Sequence, residues 1–113
     1  MRLIYVAGKY KADTQEGVAE NIHHAARVGF ELWEKGWAVI TPHLNTTFSG
    51  IAEFAEIQMK SMWLWGDLRI VEACDAIIML DNWKDSNGAK VEKAYAEYLG
   101  KEIFYEEMGI PEP

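Results

Sequence analysis

Ala76-Ile77-Ile78-Met79-Leu80-Asp81-Asn82-Trp83-Lys84-Asp85-Ser86-Asn87-Gly88-Ala89-Lys90-Val91-Glu92 holds the pattern that decides the fold. Five apolar residues bounded by Asp75 and Asp81 have the length and composition of a strand buried on both faces, as in a parallel sheet. Val91, Ala94, Tyr95, Tyr98 and Leu99 then recur at helical spacing, which predicts a helix over 87–100. The polar stretch Asp81 to Gly88 therefore joins the carboxyl end of a strand to the amino end of a helix, where open α/β sheets bind ligands. Glu92 stands one turn into that helix, over the loop that would hold a ligand, and is the candidate nucleophile.

The flanking sequence repeats the alternation. Leu3 to Ala7 is an apolar, β-rich run closed by Gly8, a residue that permits a tight turn and close backbone approach to a ligand. Lys9-Tyr10-Lys11 follows. It reads equally as a solvated basic loop or as a grip on a phosphate or sugar. Asp13 with Glu16 resembles a capping box opening a helix whose apolar positions are Val18, Ile22, Ala25, Gly29 and Leu32, closed by Lys35-Gly36. Trp37 to Ile40 is a second strand, stopped by Thr41-Pro42-His43. Residues 41–52 form a long polar loop of the kind often used as a lid or site.

Glu53 to Ala73 reads as a helix that is apolar on nearly every side, which predicts burial against the sheet and against a second copy, at least a homodimer. Asp67 in that helix is either a partly desolvated carboxyl with a raised pKa or an exposed ion-pair partner. Lys101 to Tyr105 forms a last strand after Gly100, which suits the left-handed position beyond a helix end. The acidic tail 106–113 is expected to fray or to serve an oligomer contact. The β-α-β-α-β-α-β order implies an α/β, Rossmann- or flavodoxin-like three-layer sandwich: a mainly parallel four- or five-stranded sheet, strand order 2-1-3-4, helices on both faces.

The chain has 113 residues, half of them hydrophobic, enough for one core and one domain over 1–113. Its net charge of −7 argues against nucleic acid or an anionic membrane as main partner, leaving room for a nucleotide-sized ligand. The single cysteine, Cys74, reads as a small buried hydrophobe, and one thiol without an internal partner fits a reducing cytoplasm. No apolar run approaches the ~18 to 20 residues that span a bilayer. His23, His24 and His43 lack metal-ligand spacing, so no metal and no cofactor is expected. Glycine-rich dinucleotide and phosphate loops and the nucleophile elbow of hydrolases are missing. Trp83 could stack on a planar base or cap the core.

Taken together, Ile4-Tyr5-Val6-Ala7-Gly8, Gly66-Asp67-Leu68, Cys74-Asp75-Ala76-Ile77-Ile78 and Ser86-Asn87-Gly88-Ala89-Lys90-Val91-Glu92-Lys93-Ala94 resemble one family. It is the nucleoside 2-deoxyribosyltransferase superfamily, including its 2'-deoxynucleoside 5'-monophosphate N-glycosidase branch. The likeness covers roughly residues 3–105 and rests more on the order of the motifs than on any one of them. It implies Glu92 as nucleophile, Asp67 as the acid that protonates the leaving base, and Tyr5 beside the nucleophile. Transferases acting on free nucleosides carry an Asp six residues before the nucleophile, whereas this chain has Ser86, similar to the monophosphate hydrolases. Ser86 with Asn87 and Gly88 would then meet a 5'-phosphate at the helix amino end, helped by Lys9 or Lys11, with Gly8 and Trp83 as further substrate-binding residues. Capping alone would equally explain a Ser or Asn there. The implied activity is cleavage or transfer at an N-glycosidic bond through a covalent glutamyl-deoxyribosyl intermediate. The alternative is a non-catalytic nucleotide-binding or sensing module.

Overall fold

A computed structural model of the chain describes residues 1–45 and 60–113. Four strands, β1 (Leu3–Ala7), β2 (Ala38–Ile40), β3 (Ala76–Met79) and β4 (Glu102–Tyr105), form one sheet in the order β2-β1-β3-β4. All three pairings are parallel, with Tyr5 beside Ile40 on one side and Ile77 on the other. The sheet thus has four strands, in the order expected. Among the described residues three α-helices lie in the connections: α1 (Gln15–Lys35), α2 (Lys60–Ala73) and α3 (Asn87–Tyr98).

The period-2 alternation of β1 sorts the core into two layers. Ile4 and Val6 pack with Ala25, Val28 and Leu32 of α1, Trp37, Val39, Ile78 and Leu80. Tyr5 and Ala7 point to the opposite layer and pack with Val71 of α2, Ile77, Met79, and Ala89 and Ala96 of α3. Burying a tyrosine on that face puts its hydroxyl among the helices that carry Asp67 and Glu92.

Side chains cap and extend these elements. Thr14, not Asp13, is the N-cap of α1: its hydroxyl accepts from Gly17 N–H, because the helix begins one residue later than the expected capping box. Gly36 and Gly100 take left-handed conformations after α1 and α3 (φ 103° and 73°), which a Cβ would penalise. At the amino end of β1, the Asp75 carboxylate accepts from Leu3 N–H at 2.8 Å while Asp75 N–H donates to Leu3 O. Cys74 is buried as expected, and burial pushes its thiol up to about 11.

Two sequence expectations change. The apolar residues of α3 do not form its sheet-facing stripe. Ala89, Glu92 and Ala96 are its buried positions, while Val91 and Tyr98 are 42% and 83% exposed. The larger apolar side chains instead line a groove of about 630 Å³ between α2 and α3, with Trp65, Leu68, Val91, Ala94, Tyr95 and Tyr98 in its walls. The tail from Glu106 to Pro113 is tied to the body rather than frayed. Trp37 Nε1 donates to Pro111 O at 2.9 Å, Lys35 pairs with Glu112, and Ile110 packs on the α1-side core. Of the helix expected over 53–73, residues 53–59 lie outside the described residues. Within α2, Met62 and Trp65 are exposed, the face on which the expected second copy would have to sit.

Candidate functional site

The site is built where β1, α2 and α3 meet. The Tyr5 hydroxyl donates a short hydrogen bond to Glu92 Oε2, joining residues far apart in the chain. Glu92 is only 7% exposed, so its carboxyl lies in the helix–sheet seam rather than over open solvent. It fits there because Ala89 and Ala96, one turn before and after, carry no side chain large enough to fill the space. The half-buried Asp67 lies close enough for its charge to act on both Tyr5 and Glu92. Two acids thus flank one phenol.

The electrostatics follow from burial. Desolvation pushes Glu92 up to about 8, with the neighbouring Asp67 charge adding to it and the Tyr5 hydrogen bond opposing it. Desolvation likewise pushes Asp67 up to about 6, again opposed by Tyr5. Tyr5 itself is pushed well above the ordinary phenol range by burial and by the Glu92 and Asp67 charges, so its hydroxyl stays protonated. The expectation of a raised Asp67 pKa holds. Both acids are raised, Glu92, the more deeply buried, more strongly than Asp67, and the Asp67 charge is one cause of the Glu92 shift.

The remaining expected site residues fall around the carboxyl end of the sheet. Ser86 is the N-cap of α3, its hydroxyl accepting from Ala89 N–H at 3.1 Å. Asn87 is the first residue of α3 and is exposed; around a Cβ added at Gly88 the nearest contact would be Ser86 Oγ at 3.9 Å, so that turn is open. Trp83 packs on the α3-side core and against Tyr105, ring centroids 6.2 Å apart, with Lys93 Nζ 5.3 Å from its ring centre. This is the core-capping alternative. Gly8 is buried and needed for packing: a Cβ there would sit 2.5 Å from Leu80 Cδ1 and 2.9 Å from Asn82 Oδ1. The space a side chain would take there is filled by Leu80 and Asn82. Lys9 is half-buried and Lys11 exposed in the loop that follows.

Some residues of this region gave no sequence signal. Asn82 Oδ1 accepts from Lys9 N–H at 2.9 Å, and His43 Nε2 lies 3.1 Å from Lys9 O. Neither contact is local in sequence, so no periodicity could reveal it. On the α1 side, His24 Nε2 lies 2.9 Å from Glu106 Oε1 and 3.8 Å from Asp81 Oδ1. Among the described residues this is the group with the geometry to hold a cation. Its members already satisfy one another: Glu106 Oε1 also accepts from Asp81 N–H, which pins the start of the tail to the β3 end.

Fold and site together define an α/β domain that places two acids and a tyrosine between one face of a parallel sheet and the helices α2 and α3. The chain belongs to the family described as a domain of unknown function, DUF4406, whose model matches residues 2–105. Among solved structures it is similar to a 2-deoxyribosyltransferase from the psychrotolerant bacterium Bacillus psychrosaccharolyticus. The two are 22% identical with a TM-score of 0.68, over 91% of this chain and 70% of that one. At that identity the likeness is one of fold, and it bears out the expected α/β architecture with a parallel sheet of order 2-1-3-4. The search among curated protein sequences returns no match. No helix among the described residues is long and apolar enough to cross a membrane.

Proposed function

We propose that the chain cleaves, or transfers across, the N-glycosidic bond of a 2'-deoxynucleoside or its 5'-monophosphate. The observation that carries this reading is the Tyr5 hydroxyl donating to the buried carboxyl of Glu92, with the half-buried Asp67 close enough for its charge to act on both. As the bond from C1' of the sugar to the base nitrogen breaks, its electron pair leaves with the base and positive charge gathers on the sugar. A carboxylate at Glu92 stabilises that charge and then forms an ester to C1'. The departing base takes a proton from Asp67. Water, or a second base, then attacks C1' from the opposite side and releases the Glu92 carboxylate, so configuration is retained.

The phenol reconciles this with the raised Glu92. With the proton on Asp67, the Tyr5 O–H donates to the Glu92 carboxylate. The charge developing on a bound sugar favours ionised Glu92 and so delivers the proton to Asp67, where the base needs it.

Ser86, Asn87 and Gly88 at the α3 amino end, with Lys9 and Lys11, are the proposed contacts to a 5'-phosphate. A helix amino terminus offers both free N–H groups and a favourable dipole to an anion. Trp83 forms an aromatic flank held by Tyr105. The test is a panel of 2'-deoxynucleosides and their 5'-monophosphates with chromatographic measurement of freed base. Base release is expected, faster from the monophosphates. No release from any member rejects the catalytic reading, and preference for unphosphorylated substrates rejects the phosphate contacts.

A further inference from the structure

We propose that Asn82 and His43 are positioning residues that hold Lys9 from both sides and so preform the loop between β1 and α1 as one wall of the substrate crevice. The substrate part of this inference rests on the proposed activity; the loop part does not.

The last backbone rung between β3 and β1 is Leu80 N–H to Ala7 O at 2.8 Å. Beyond it, the Asn82 side chain takes the place of a backbone acceptor and receives Lys9 N–H at 2.9 Å. The ladder is thereby extended past the end of the sheet, and Gly8 makes this possible: a Cβ there would come within 2.9 Å of the Asn82 oxygen.

From the other side, His43 Nε2 lies 3.1 Å from the Lys9 carbonyl. A carbonyl can only accept, so this nitrogen carries the hydrogen and Nδ1 keeps a bare lone pair. Among the described residues Nδ1 is buried without a hydrogen-bond partner, and the residue is 5% exposed. A buried polar ring with one unmet nitrogen is costly, and the bond to Lys9 is what it provides in return. Burial also lowers the pKa of His43, keeping the ring in this neutral form. Asn21 of α1 completes the grip by donating to Tyr10 O at 3.1 Å and Lys11 O at 3.3 Å. Three consecutive carbonyls of the loop are thus held by side chains from outside it.

Tyr5 lies in the same strand but is fixed by the sheet, so loosening the loop leaves the Tyr5–Glu92 contact in place. The consequence is a separation of effects: substrate binding weakens while the chemical step persists. The test compares Asn82→Ala, His43→Leu and His43→Gln with the wild type by amide hydrogen exchange. Steady-state kinetics on a 2'-deoxynucleoside 5'-monophosphate form the second arm. For Asn82→Ala and His43→Leu, exchange of the amides of residues 9–11 is expected to rise about tenfold, with those of Ile4 to Val6 unchanged. KM is expected to rise about tenfold with kcat within about threefold. His43→Gln, which retains an N–H able to reach the Lys9 carbonyl, is expected to restore most of both. Unchanged exchange at residues 9–11, equal loosening of the β1 amides, or a fall in kcat at constant KM overturns the proposal. Should the wild type free no base, the proposed function fails while the exchange data still decide the positioning role.

Discussion

Glu92→Gln is expected to lower base release by about 10³-fold or more while leaving the fold intact. An amide oxygen can still accept from the Tyr5 hydroxyl, so the hydrogen bond that seats residue 92 against β1 survives the change. What is lost is the anionic oxygen that stabilises the sugar cation and forms the ester, and the loss of a covalent nucleophile commonly costs several orders of magnitude. Circular dichroism and thermal melts on the same preparation separate this from unfolding. A variant that is folded and retains more than about a tenth of wild-type activity would remove Glu92 from the chemistry.

The same substitution is expected to stabilise the protein at alkaline pH. In the folded chain burial raises Glu92 from 4.5 to about 8, so folding favours its protonated form. The unfolded chain releases that proton near 4.5, and wild-type stability therefore declines as pH rises from 4.5 through 8. Below 4.5 both states hold the proton and the term vanishes. Gln at this position does not titrate. The gain of Glu92→Gln over wild type should accordingly be small near pH 5, grow toward pH 8 and level off above it. The full shift corresponds to a gain on the order of 3 to 5 kcal/mol. Asp67, raised to about 6, produces a similar decline at lower pH in both proteins, and because its charge raises Glu92 the difference reports on residue 92 together with that coupling. Urea unfolding across pH 5 to 9 measures it. A difference that is flat with pH, or that favours the wild type at pH 9, would show that Glu92 is solvated and ionised in the fold.

Those opposite effects on activity and stability express one design: a carboxyl that would be cheap at the surface has been set in the seam between helix and sheet. The sequence made the architecture legible, because Leu3 to Ala7 and Ala76 to Leu80 are apolar runs too short for helices and Gly36 and Gly100 mark where helices end. Strand order 2-1-3-4 is that of a doubly wound sheet with its switch point between β1 and β3. The juxtaposition of Tyr5, Asp67 and Glu92 was legible as well, through the order of motifs rather than through any periodicity.

The face of α3 was not legible. Helical spacing selects the bulkiest apolar side chains, Val91, Tyr95 and Tyr98, yet the stripe against the sheet is Ala89, Glu92 and Ala96. Two alanines around an acid look like a solvated face until the sheet is in place. Protonation order was hidden for a related reason, since it depends on how deeply each acid is buried. The grip of Asn82 and His43 on Lys9 joins the ends of three strands and leaves no trace in local sequence.

The most direct measurement is peptide mass spectrometry on wild-type protein acid-quenched during turnover of a 2'-deoxynucleoside 5'-monophosphate. The account predicts a deoxyribosyl-phosphate ester on Glu92, absent from Glu92→Gln. Base release without any ester at residue 92, or with the sugar attached to another side chain, would contradict it.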